Sequence, residues 1–195
     1  MAKIITICGK SASGKNYIFN SLLKKYPSLV PVVTHTTRPK RDGEVHGRDY
    51  FYTNSKEFME MIGSGEIFEF REYNTKSGKW YYGTSTSQID LESDKTYIAI
   101  VDLKGLNEYI AQFGANNVVS YYVKANAEIR LLRMLKRETD ISEEKKNEMI
   151  RRYESDNIEF KRAEDFCRYT VYNNCQEDFD MTLELLSYEI EKGMV

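Results

Sequence analysis

The segment Gly9-Lys10-Ser11-Ala12-Ser13-Gly14-Lys15-Asn16 sets two glycines five positions apart and follows the second with a lysine. Glycines let such a loop curl until successive backbone N–H groups point inward, and a helix starting at its end adds partial positive charge. That is the chemistry of a polyphosphate cradle, with Lys15 reaching the β- and γ-phosphates. Gly9, Ser11, Ala12, Ser13, Gly14, Lys15 and Asn16 are therefore candidate ligands of a nucleoside triphosphate. The bare pattern arises by chance in about one chain in twenty of this length, so its weight comes from context. An apolar, β-branched run at residues 3–8 precedes it, and an amphipathic helical pattern through Tyr17, Ile18, Leu22 and Leu23 follows it. Asn16 stands where a Ser or Thr hydroxyl normally meets Mg2+. Its amide oxygen is a poorer, neutral ligand that can act through water, and Mg2+ is still expected to arrive with the triphosphate.

A second constellation spans residues 34–84. Arg38 and Arg41, three apart, together with the phenols of Tyr50 and Tyr82, suit a compact dianion, because guanidinium forks match phosphate oxygens with paired hydrogen bonds. Glu69 with the hydroxyls of Thr34 and Thr84 suits a planar heterocycle with adjacent N–H donors. Taken singly, these features read as a solvated charge run and as edge-strand packing; next to a phosphate loop they read as an acceptor site.

The elements that must hold these groups follow from periodicity. Strand-like runs recur at residues 97–101, 118–123 and 169–172, separated by helical patterns, which predicts an α/β chain with a mostly parallel sheet. Residues 34–84 break the alternation and predict a largely antiparallel insert. It carries one short helix at 56–64, capped by Asn54 with Glu57 and ended at Gly65. Residues 125–163 predict two charged helices joined near 139–142, whose arginine density suggests a surface facing an anion. With 28 Lys+Arg against 30 Asp+Glu, the net charge of -2 excludes nucleic-acid binding by bulk charge. No apolar run is long enough to span a bilayer, so a cytoplasmic chain is expected, with neither nucleic acid nor membrane as partner. Cys8, Cys167 and Cys175 have no zinc or disulfide spacing and are expected to be reduced packing residues.

In the order of its motifs, the chain resembles guanylate kinase over almost its whole length. The glycine loop is followed by Thr36-Thr37-Arg38, Arg41, Gly43-Glu44, Gly47, Asp49-Tyr50 and Phe51, then by Glu69, Tyr81-Tyr82-Gly83 and an arginine-rich lid. The resemblance implies a P-loop NTPase-type parallel sheet flanked by helices (residues 1–33 and 85–195), a mainly antiparallel β GMP-binding insert (34–84), and a helical lid at about 126–150. It also implies a kinase moving the γ-phosphoryl of ATP to GMP or dGMP with Mg2+, as a monomer or homodimer. By the same resemblance, Arg38, Arg41, Tyr50 and Tyr82 hold the GMP phosphate, while Thr34, Glu69 and Thr84 read guanine. Lys15, Arg38, Arg133, Arg137 and Arg152 stabilise transferring charge, and Asn173 approaches adenine. Asp102 would belong to the GMP site, holding a metal-bound water or orienting an arginine; a helix cap is its plainer alternative. Arg130, Arg151 and Arg162 are expected to pair with Glu on exposed helix faces. Ile100 stands where the family often has a second acid, and Glu138 follows Arg137 where it usually has glycine. Two rivals are a non-catalytic module of the same shape that binds a phosphorylated peptide, and a kinase tuned to another acceptor. The segment 73–79, longer than the family's usual turn, is the feature that bears on the second rival.

Overall fold

An apolar run with no polar interruption but Thr6 can be satisfied only by burial on both faces, and Ile4–Cys8 (β1) is buried at every position. The computed structural model describes residues 3–75, 78–137 and 142–193. In chain order β1 is followed by α1 (Lys15–Lys25), β2 (Val30–Pro31), β3 (His35–Thr36), β4 (Phe51–Tyr52), α2 (Ser55–Gly63), β5 (Ile67–Thr75) and β6 (Gly78–Ser85). Then come β7 (Tyr97–Ile100), α3 (Leu103–Phe113), β8 (Val118–Lys124), α4 (Ala127–Arg137), α5 (Glu143–Glu159), α6 (Ala163–Phe166), β9 (Tyr169–Tyr172) and α7 (Gln176–Gly193).

The main sheet runs β2-β7-β1-β8-β9, and every pairing in it is parallel. Alternate residues of β1 serve opposite faces. Ile4 and Cys8 pack with Leu106, Tyr109 and Phe160, whereas Ile5 and Ile7 pack with Ile18, Leu22, Leu186 and Ile190. Strand β1 bonds to β7 on one side and β8 on the other, so the sheet has a crevice at the carboxyl end of β1, where α/β sheets take their ligands. The glycine loop sits there.

The expected strands fall within a residue of those observed, as fraying ends allow. In α2 the Asn54 side chain accepts the Glu57 N–H at 3.0 Å, and Phe58 is fully buried against Ile67 and Tyr81. The insert's sheet, β4-β3-β6-β5, is mixed: β6 pairs antiparallel with both β3 and β5, while β3 and β4 are parallel. That one parallel pairing has no sequence signal, because a long loop rather than a hairpin joins its strands.

Register in the β5–β6 hairpin shifts between Ile67 and Glu69, placing Glu69 opposite Thr84 and Arg71 opposite Tyr82. A bulge of this kind re-aims side chains. It needs Gly83, since a Cβ there would lie 2.8 Å from the Glu69 carbonyl oxygen and 2.9 Å from Phe58. Among the described residues, no helix is long and apolar enough to cross a membrane. Cys8 and Cys167 are free and buried as packing residues, but Cys175 is exposed, which corrects the expectation for that one.

Candidate active site

Gly14 adopts φ +99°, and a Cβ at that position would fall 2.0 Å from the Asn173 amide nitrogen. Only glycine therefore turns the loop into α1 with Asn173 beneath it. Asn173 is buried and donates to the Ser13 carbonyl oxygen at 2.8 Å, so it buttresses the loop from below. The Lys15 ammonium folds over the loop onto the carbonyl oxygens of Gly9 (2.6 Å) and Lys10 (3.2 Å). Arg133 reaches the Ser13 carbonyl at 3.2 Å from α4. The Ser13 hydroxyl is buried and finds no partner among the described residues, which marks a donor awaiting an acceptor inside the loop. Asn16 is exposed on the first turn of α1. The Arg137 side chain and residues 138–141 lie outside the described residues. Arg152 is exposed on α5, pairs with Glu148 at 2.7 Å and lines the cleft.

Arg130 corrects the sequence expectation. Arg151 and Arg162 do make exposed pairs, with Glu148 and Asp165, but Arg130 is 2% exposed and its partner is Asp156 at 3.1 Å. Arg130 Nε also donates to the Ser11 carbonyl at 2.9 Å, and Asp156 accepts the Ser11 N–H at 2.6 Å. The pair thus pins the glycine loop to α5. Removing one member of a buried pair strands the other charge, so Arg130→Leu is expected to lower stability by about 3 kcal/mol in urea unfolding. Arg130→Leu with Asp156→Ala should recover part of that. A single-variant loss under about 1 kcal/mol would show the pair to be solvated.

Across the loop, one cleft of about 1040 Å³ is lined by Ser11, Thr34, Arg38, Arg41, Tyr50, Glu69, Tyr82, Asp102 and Arg152, among others. Arg38 is 4% exposed and donates to Glu44 at 2.7 Å and to the Pro39 carbonyl at 2.8 Å; its guanidinium lies 5.2 Å from the Tyr50 ring. Burial opposes the Arg38 charge, but the Glu44 hydrogen bond and attraction outweigh it and hold the proton more firmly. Arg38, the Arg41 N–H and the Tyr52 hydroxyl hold Glu44 down to about 2. Burial, reinforced by Tyr82, raises Tyr50.

Glu69 and Thr84 are joined by a 2.9 Å hydrogen bond. Thr84 is 2% exposed and sits behind the carboxylate rather than in the cleft. Burial raises the Glu69 pKa against the lowering influence of Thr84 and Arg71. Asp102 caps α3 by accepting the Gly105 N–H at 2.6 Å and also grips Arg71 through both oxygens, at 2.5 and 2.9 Å. Arg71 was not singled out by sequence reasoning. Its one signal is its spacing, two residues beyond Glu69 and so on the same strand face.

A glycine loop at the crevice of a parallel sheet, facing across a cleft a second sheet that carries an arginine fork and a half-buried carboxylate, is the arrangement of an α/β kinase. A sequence model of the family described as Guanylate kinase matches residues 1–192, and the chain belongs to that family. It is similar to the guanylate kinase of Thermotoga maritima, 29% identical over 194 residues, covering 97% of this chain and 88% of the relative. It is also similar to the guanylate kinase of Mycoplasma genitalium, 30% identical over 187 residues, covering 94% and 73%. The fold is that of the crystal structure of guanylate kinase from Anaplasma phagocytophilum, with a TM-score of 0.69 at 21% identity over 100% of this chain and 87% of that one. The chain is accordingly a nucleoside monophosphate kinase.

Proposed function

We propose that this kinase transfers the γ-phosphoryl of ATP to GMP, or to dGMP, giving ADP and GDP. One observation carries the reading: a half-buried carboxylate, Glu69, and a buried guanidinium, Arg38, share a single cleft that opens onto Ser11 of the glycine loop. The Glu69 carboxylate can accept N1–H and N2–H of guanine, whereas adenine offers an acceptor at N1 and would leave the carboxylate facing a lone pair. Thr34 adds a hydroxyl at that end, and Thr84 orients the carboxylate from behind. At the other end Arg38, Arg41, Tyr50 and Tyr82 converge on the space for a monophosphate.

In-line transfer through a loose transition state asks the protein for placement and charge rather than a covalent intermediate. Lys15, the Ser13 hydroxyl and the loop N–H groups hold the donor phosphates. Arg133, Arg137 and Arg152, from the lid and the helix behind it, neutralise the transferring charge and exclude water. No general base is required. His35 stacks on Phe51 at 4.8 Å and His46 accepts the Tyr52 N–H at 3.1 Å, so both serve the insert's packing.

Among the described residues there is no cluster of three or more His, Cys, Asp or Glu able to hold a metal. A Mg2+ carried by the triphosphate would be held mostly by phosphate oxygens and water, and the exposed Asn16 amide oxygen would be the protein group able to reach it, directly or through water. When bound, it neutralises charge on the β- and γ-phosphates.

The test is ADP release in a coupled assay offering GMP, AMP, CMP and UMP in turn. GMP is expected to be the preferred acceptor, with little ADP formed in its absence. Preference for AMP, or release independent of acceptor, would sink the proposal. Tight GMP binding without turnover would point to the non-catalytic module instead.

A further inference from the structure

The cleft contains a cation with no assigned part in the chemistry. Arg71 is 17% exposed and its guanidinium is gripped on three sides, by Asp102 (2.5 and 2.9 Å), by Glu108 (3.0 Å) and by Glu69 (3.3 Å). Its Nη1 also donates to the Phe70 carbonyl at 2.7 Å, so the planar fork is fixed on both edges. The two oxygens of Glu69 have different partners: Oε1 takes the Thr84 hydroxyl and Oε2 faces Arg71. The plane of that carboxylate is therefore set by two strands at once. Each oxygen keeps a second lone pair for an incoming donor.

Charge balance is the second observation. From β5 and β6, Glu69 faces Arg71 and Thr84. From the carboxyl end of β7 and from α3 it faces Asp102, Glu108 and Tyr109, the last sharing a hydrogen bond with Thr84. Glu159 of α5 bears on Asp102 and Arg71. Of these groups Arg71 is the cation, against four carboxylates counting Glu69.

We propose that Arg71 is a positioning residue for acceptor specificity: clamped between Asp102 and Glu108, it keeps the Glu69 carboxylate charged and aimed, so that the site takes guanine and refuses adenine. This deepens the GMP reading and rests on it. A protonated Glu69 would reverse the preference, because its O–H can donate to adenine N1 while its other oxygen accepts from the adenine amino group. It would also lose one of the two acceptors that guanine needs. Burial already makes that proton easier to acquire, and Arg71 opposes it.

The direction of the pH effect follows. Guanine binding requires the ionised form, so KM for GMP rises as pH falls through the Glu69 titration. Removing Arg71 moves that rise to higher pH, and removing the Glu108 charge moves it lower.

The experiment measures KM and kcat for GMP and for AMP between pH 5.5 and 8.5 in the parent, Arg71→Met and Glu108→Gln, with thermal melts to check folding. The GMP phosphate titrates in the same range but identically for all three proteins, so the displacement between profiles is the readout. Arg71→Met is expected to shift the inflection up by about one pH unit. On the acid side of both inflections its KM for GMP should be raised about tenfold over the parent, with kcat changed less and AMP use increased relative to GMP. Glu108→Gln is expected to shift the inflection down. Profiles that superimpose on the parent in both variants, with AMP discrimination unchanged, would overturn the proposal. If Arg71→Met does not fold, the direction of the Glu108→Gln shift decides. A parent that prefers another acceptor defeats the GMP reading; a parent that prefers GMP, with unmoved profiles, defeats the role of Arg71 alone.

Discussion

Lys15→Met is expected to lower kcat by about two to three orders of magnitude while leaving the fold and the KM for GMP nearly unchanged. The reason lies in where the ammonium already is. Lys15 is the first residue of α1, and its Nζ rests on the carbonyl oxygens of Gly9 and Lys10. The residue is half-buried, and methionine keeps similar bulk and helical preference. Only the charge is removed, in the place where the β- and γ-phosphates would accumulate it during transfer. Tenfold in rate corresponds to about 1.4 kcal/mol, so the expected loss is about 3 to 4 kcal/mol of transition-state stabilisation. The acceptor groups belong to the other sheet and should not respond. A kcat within tenfold of the parent, in a protein of unchanged melting temperature, would show that the loop does not hold a triphosphate.

For the acceptor end, Arg38→Met should raise KM for GMP about a hundredfold, equivalent to losing about 3 kcal/mol of charge-assisted, bidentate hydrogen bonding. Arg38 is buried and prearranged, with Pro39 and Glu44 fixing the fork and Tyr50 beneath it. Glu44 is held down to about 2, so it stays ionised across any assay pH, and the incoming phosphate must share the guanidinium with it. The fold should survive the change, because Glu44 keeps the Arg41 N–H and the Tyr52 hydroxyl as partners. Arg38→Lys restores a charge but not the fork and should recover only part of the affinity. Steady-state kinetics with GMP varied at saturating ATP measures both variants. A rise in KM below tenfold for Arg38→Met would remove this residue from the phosphate site.

Much of the architecture is legible in contiguous residues. The double-faced burial of β1 follows from IITIC, the turn into α1 from Gly14 and Lys15, and the start of α2 from Asn54 and Glu57. Each depends on neighbours within one turn or one strand. Of the eight acceptor residues that the resemblance named, all but Thr84 line the cleft.

What escaped sequence reasoning lies where the partner is distant or the register undetermined. Asp156 meets the Ser11 N–H across 145 positions, and Asn173 meets the Ser13 carbonyl across 160. Neither arginine-rich helix α4 nor acidic α5 reveals that Arg130 and Asp156 turn inward toward the loop, because helical charge alone looks the same on a solvated face. Strand spacing put Glu69 and Arg71 on one face of β5, but which face that is depends on the bulge after Ile67, since a shift of one residue would send both away from the cleft. Sequence by itself therefore determined the glycine loop, the α/β alternation and most of the polar groups named for the cleft. Only the tertiary structure decided that Thr84 stands behind Glu69, that Asp102 serves α3 and Arg71, and that the Arg71 guanidinium lies among Glu69, Asp102 and Glu108. Long-range register and charge balance are properties of packed surfaces, and no local pattern encodes them.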